Sequence, residues 1–99
     1  MHPFHERIAR VGLAAGASYG FALAGGYAMQ LNGFLKRPSE DVDLFTVQSY
    51  STEFDAAIMA IMAAYRADGL DVRTDKYDPA LDPTFARLIV SDDREIFEG

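Results

Sequence analysis

Residues 37–47 read Arg37-Pro38-Ser39-Glu40-Asp41-Val42-Asp43-Leu44-Phe45-Thr46-Val47. β-Branched and aromatic residues around Leu44 make Val42 to Val47 the strongest strand of the chain. Asp41 and Asp43 flank Val42 where that strand starts. Residues two apart on a strand point to the same face, with Cα atoms roughly 6.5–7 Å apart. Carboxylates placed so can share a pair of divalent ions about 3.5–4 Å apart, the arrangement used for in-line phosphoryl transfer. Magnesium takes such hard oxygen ligands together with substrate phosphates. By itself, however, Asp-x-Asp is also the pattern of a solvated strand end.

Towards the N-terminus, Phe21-Ala22-Leu23-Ala24 is a short apolar run that reads as a buried strand. Gly25-Gly26 breaks it, and Tyr27 to Leu31 reads as a short helix closed by Asn32-Gly33. A glycine pair between strand and helix lets backbone amides approach a phosphate, and a helix N-terminus adds positive potential. No Gly-Lys-Ser/Thr follows, so this is not a P-loop, and the Gly-x-Gly-x-x-Gly spacing of a dinucleotide site is absent. Arg37 and Ser39 add a cation and a hydroxyl just ahead of the two aspartates. Each is an ordinary loop residue alone; the order strand, Gly-Gly, helix, Arg-x-Ser-x-Asp-x-Asp, strand is much more specific.

Gly25-Gly26-Tyr27-Ala28 followed by Arg37-Pro38-Ser39-Glu40-Asp41-Val42-Asp43-Leu44-Phe45 resembles the signature of the nucleotidyltransferase superfamily with the DNA polymerase β-like fold. Within it the pattern is most similar to the AbiEii-type abortive-infection toxins. The resemblance covers residues 21–47 well and Phe85 to Val90 loosely. It implies an α/β (α+β) domain, a mixed β-sheet with helices packed against it. It further implies that Gly25 and Gly26 line a nucleoside triphosphate, that Ser39 contacts it, and that Arg37 orders the loop or touches phosphate. Asp41 and Asp43 would be the catalytic pair, ligating Mg²⁺ or Mn²⁺. The implied reaction moves a nucleoside monophosphate onto an acceptor hydroxyl of tRNA, protein or a small molecule, and the implied protein partner is a cognate antitoxin.

The family normally adds a third carboxylate from a later strand. Glu95-Ile96-Phe97 reads as the opening of such a strand, and Glu98 is the residue in roughly the right place. Residues 1–99 are accordingly expected to form a single N-terminal core domain lacking the family's C-terminal part, with an open sheet edge suited to self-association. Two other functions compete. One is a non-catalytic nucleotidyltransferase-fold fragment that binds nucleotide or a partner protein; the other is a glycosyltransferase that uses Asp-x-Asp to hold a nucleotide-sugar. Gly25-Gly26 ahead of the acids speaks against the latter.

Outside this cluster the chain is ordinary. Phe4, Ile8, Val11 and Ala15 follow Pro3 at helical spacing, and Phe54, Ile58, Ile61, Met62 and Tyr65 form one apolar helical face with Thr52 and Asp55 as a capping-box-like start. Asp68-Gly69 ends that helix, and Leu70 to Thr74 and Phe85 to Val90 read as strands around a loop marked by Asp78-Pro79 and Asp82-Pro83. His2 and His5 lie one helical turn apart with no third ligand nearby, and Arg87 suits either a nucleotide or a surface acid.

Fifteen acidic and nine basic residues give a net charge of −6, the wrong sign for a domain that grips nucleic acid by charge. With no cysteines, disulfides, thiolate metal sites and cysteine nucleophiles are excluded. Val11 to Leu35 carries no charge and spaces Gly12, Gly16 and Gly20 by four. Yet twelve of its twenty-five residues are Ala or Gly, too weakly apolar for a membrane span. A cytoplasmic protein is expected.

Overall fold

The computed structural model describes residues 3–19, 27–36 and 39–92. Two helices, α1 (Pro3–Gly16) and α2 (Ser51–Ala67), pack against a four-stranded sheet of β1 (Tyr27–Lys36), β2 (Ser39–Thr46), β3 (Asp71–Lys76) and β4 (Phe85–Ser91). The strand order is β1-β2-β4-β3. Each of the three described pairings is antiparallel. Because β2 and β3 both run against β4, they run parallel to each other, and α2 is the crossover that joins them around the intervening strand.

The expectation of helices packed on a sheet is met. The sheet is antiparallel rather than mixed among the described residues. Phe21–Ala24, expected as a buried strand, lies outside them, as does the strand expected to open at Glu95.

The helix expected over Tyr27–Leu31 is instead part of strand β1. Its side chains alternate: Met29 and Leu31 lie opposite Leu44 and Val42 and pack on the core, whereas Gln30 and Asn32 are exposed. This period-two division lets β1 bury two apolar side chains and satisfy its backbone on β2, which a single helical turn could not do. Val42, Leu44, Ala86, Leu88 and Val90 form the sheet's side of the core, under Phe4, Ile8, Phe54, Ile58, Ile61 and Tyr65 from the helices.

Helix α2 buries the apolar face expected of it. Its N-terminus differs from expectation. The N-cap is Tyr50, without a side-chain cap, and a short 3₁₀ turn (Gln48–Tyr50) leads in, with Ser51 Oγ donating to the Gln48 carbonyl at 2.8 Å. Lead-in geometry thus replaces the Thr52/Asp55 box. The C-terminus follows expectation: Gly69 takes φ +85°, and the Leu70 amide reaches back to the Tyr65 carbonyl at 3.0 Å, closing the last turn in a Schellman-type motif. Asp78 and Asp82 each accept a backbone amide two residues on, which makes the 77–84 connection two successive Asx turns.

The two helices meet at Gly12. Tyr65 is buried and its hydroxyl donates to the Ile8 carbonyl at 2.9 Å. A Cβ at position 12 would overlap that hydroxyl and lie 2.8 Å from the Met29 methyl. Gly12 therefore serves packing within the chain, and no described helix is long and apolar enough to cross a membrane. Gly12→Ala should lower stability to urea unfolding by about 1–3 kcal/mol through overpacking, despite the gain of roughly 1 kcal/mol in helix propensity. The penalty should shrink in a Tyr65→Phe background, where the clashing oxygen is gone. A more stable Gly12→Ala protein would show that the two helices do not approach this closely.

Candidate active site

The pleat of β2 sorts its residues into two sets. Glu40, Val42 and Leu44 face the helices; Ser39, Asp41, Asp43 and Phe45 share the opposite face. Asp41 and Asp43 are nonetheless well covered, with side chains 11% and 7% exposed. The cover comes from neighbouring strands. Arg87 on β4 lies directly opposite Asp43, and its guanidinium forks onto the carboxylate, Nε donating to Oδ1 at 2.6 Å and Nη2 to Oδ2 at 3.0 Å. Its Nε is also 3.9 Å from an Asp41 carboxylate oxygen. From β1, Asn32 Nδ2 donates to Asp43 Oδ2 at 3.0 Å and is itself positioned by Gln30, whose Nε2 donates to Asn32 Oδ1 at 3.2 Å. Along the same face Phe45 and Phe85 pack ring to ring with centroids 5.2 Å apart, and the Arg87 guanidinium lies 5.9 Å from the Phe85 ring centre.

Of the residues singled out in the sequence, the fold brings Ser39, Asp41 and Asp43 to one face. Gly25, Gly26, Arg37 and Glu98 lie outside the described residues. Among the described residues no three His, Cys, Asp or Glu side chains are gathered for a metal, so Asp41 and Asp43 stand as a pair. Their donor chemistry suits a hard divalent cation: two carboxylates on one strand face, hardly exposed and with oxygens to share.

Asn32 was missed by sequence reasoning, which took it for a helix end; the alternation Met29-Gln30-Leu31-Asn32 was the available signal. Of the two readings offered for Arg87, the structure shows the pairing with an acid, and that acid is Asp43. His5 does not act as part of a metal pair with His2, which lies outside the described residues. Instead its Nδ1 hydrogen-bonds Glu40 Oε1 at 3.0 Å, on the helix side of β2. Glu40 is fully buried, so α1 is tied to the strand one residue before Asp41. Burial and the nearby Glu40 charge push the Tyr65 hydroxyl well above its ordinary value.

Comparison with known families decides the ancestry. Residues 11–93 match the family described as "Nucleotidyl transferase AbiEii toxin, Type IV TA system". The chain belongs to the AbiEii family. The match spans the last turns of α1, all of α2 and all four strands of the sheet, so the candidate site sits within the matched region. No curated protein and no solved structure matches the chain.

The electrostatics of the candidate site make a pH prediction. The Arg87 fork, opposed by burial and assisted by Asn32 and the charges of Arg87 and Lys76, holds the Asp43 carboxyl below its ordinary value of 3.8. A depressed folded-state value means stabilisation that is complete above the unfolded value and is lost as pH falls through the folded one. Wild type should therefore exceed Asp43→Asn in stability by on the order of 1 kcal/mol at neutral pH, the fork being partly open to solvent. The gap should narrow as the pH is taken below 3.8. Urea unfolding across that range checks it. A gap that is unchanged at about pH 2 would assign the difference to packing rather than to charge.

Proposed function

We propose that the chain carries the nucleotide- and metal-binding site of a nucleotidyltransferase, which moves a nucleoside monophosphate from a nucleoside triphosphate to an acceptor hydroxyl. The observation that carries this reading is the convergence of Asp41, Asp43 and Ser39 on one face of β2 in a member of the AbiEii family. Asp41 and Asp43 would hold Mg²⁺ or Mn²⁺. Bound there, the metal would neutralise charge on the phosphates and on departing pyrophosphate.

The chain's own residues do the rest of the work in this scheme. The central strand β2 keeps both carboxylates aimed at the same side, so that the geometry is set before substrate arrives. Asn32 fixes the rotamer of Asp43 from one side and Arg87 from the other. Ser39 lies two residues before Asp41 on the same face and would offer a hydroxyl to the polyphosphate; Gly25 and Gly26 would offer backbone amides, and Arg37 a cation. The acceptor is tRNA, protein or a small molecule, and a cognate antitoxin is the partner that membership of a toxin–antitoxin family supports.

Calorimetric titration of the chain with ATP, CTP, GTP and UTP, each with and without Mn²⁺, tests the site. At least one nucleotide should bind in a metal-dependent way. The double variant Asp41→Asn/Asp43→Asn should lose roughly tenfold or more in affinity, equivalent to about 1.4 kcal/mol. If wild type binds none of the four, or the double variant binds as well as wild type, the assignment of the site is wrong.

A further inference from the structure

Arg87 does more than neutralise its neighbour. We infer that Arg87 couples metal binding to nucleotide binding: its guanidinium occupies Asp43 until a divalent cation arrives together with a polyphosphate, which takes the guanidinium over. This inference rests on the proposed nucleotidyltransferase site and adds to it a positioning residue that enforces joint binding.

The argument begins with the oxygens of Asp43. A carboxylate offers about four lone-pair positions. Arg87 Nε uses one on Oδ1, Arg87 Nη2 uses one on Oδ2, and Asn32 uses another on Oδ2. A magnesium ion must come within about 2.0–2.1 Å of a carboxylate oxygen. With Nε already 2.6 Å from Oδ1, a dication on that oxygen would press against a cation on the same atom. Asp41, with its nearest oxygen 3.9 Å from the same Nε, is not hydrogen-bonded to the guanidinium but lies within reach of its charge. Arg87 is also the most exposed of the three, its side chain 29% accessible against 11% and 7% for the aspartates. The guanidinium therefore has to swing away from Asp43 before that carboxylate can share a metal with Asp41.

Where it swings decides the thermodynamics. A metal ion alone would break two charge-assisted hydrogen bonds and return nothing to the guanidinium but water. A metal ion with a triphosphate returns an anion whose oxygens match the planar fork in two-point geometry. The Phe85 ring, 5.9 Å from the guanidinium carbon, gives the side chain a second hold on the same face. Metal alone is then disfavoured and metal plus nucleotide favoured, which is a positive coupling between two ligands carried by one side chain. A lysine cannot reproduce it fully, because a point charge lacks the fork.

The test pairs two affinities that should move in opposite directions. Mn²⁺ alone is titrated into wild type, Arg87→Gln and Arg87→Lys, with free Mn²⁺ followed by electron paramagnetic resonance. The same proteins are then titrated by calorimetry with Mn²⁺ plus the non-hydrolysable α,β-methylene analogue of the nucleotide that wild type binds. Arg87→Gln should bind Mn²⁺ alone roughly tenfold more tightly, since it no longer displaces a charged fork, and the metal–nucleotide roughly tenfold more weakly. Arg87→Lys should fall between wild type and Arg87→Gln in both; should Arg87→Gln not fold, Arg87→Lys must still shift both affinities in these directions. Equal Mn²⁺ affinity in wild type and variants, including no binding in any, overturns the coupling, and so does tighter Mn²⁺ binding without loss of nucleotide affinity. The Asp41→Asn/Asp43→Asn protein separates this from failure of the site itself. If that variant loses nucleotide while the Arg87 variants leave Mn²⁺ affinity unchanged, the site stands and the role of Arg87 falls.

Discussion

Each side chain of β2 can point to only one face of the sheet, and the strand lies between two partners that both hold its register. Seven residues of β2 are paired in sequence with β4, and its other edge carries β1. Slipping the strand by one residue would turn Val42 and Leu44 to solvent and drive Asp41 and Asp43 into the core beneath α1 and α2. Burial of two apolar side chains would be exchanged for burial of two carboxylates, a change the fold could not tolerate. The hydrophobic core thus sets the alignment of the acidic pair without touching it. The candidate site and the core share one strand because the pleat divides it between them.

Charge pairs stand on both sides of that strand and serve different ends. On the helix side, His5 and the fully buried Glu40 join α1 to β2. A carboxylate in that position is costly to leave without its hydrogen bond to His5, so the pair contributes chiefly by constraining where α1 can lie. Arg7 adds a second tether, bonding Asp68 at the end of α2 and approaching Asp92 just after β4. On the other side, the Arg87–Asp43 fork is partly open to solvent and contributes modestly to stability. Its consequence is chemical. It keeps two like charges close together on one face with a cation between them, in a site that would otherwise repel itself.

Membership of the AbiEii family and the geometry of the sheet supply independent halves of the functional picture. The family match places the chain among nucleotidyl transferase toxins; the fold brings the two aspartates together and surrounds them with Asn32, Arg87 and the Phe45–Phe85 pair. Neither half depends on the other. The net charge of −6 bears on the proposed acceptor. A polyanion such as tRNA would have to be drawn in by basic groups beyond those described here, whereas a protein or small-molecule acceptor would not.

The sequence by itself determined those features that depend on local period and local chemistry. The apolar stripe from Phe54 to Tyr65 specified α2 and its buried face. Asp68-Gly69 specified where that helix stops, because a left-handed residue is needed there and glycine takes it readily. The spacing of Asp41 and Asp43 specified a shared face as soon as β2 was recognised as a strand. Tertiary structure alone decided the rest. Tyr27–Leu31 is locally compatible with a helical turn and becomes strand because β2 offers a ladder and the core offers room for Met29 and Leu31. Arg87 and Asp43 are forty-four residues apart, and no local pattern announces that the β2–β4 register will set them opposite each other. Asn32 and Glu40 likewise acquire their partners through strand pairing and helix packing. Pattern along a chain specifies which face a side chain takes; only the pairing of distant strands specifies what it meets there.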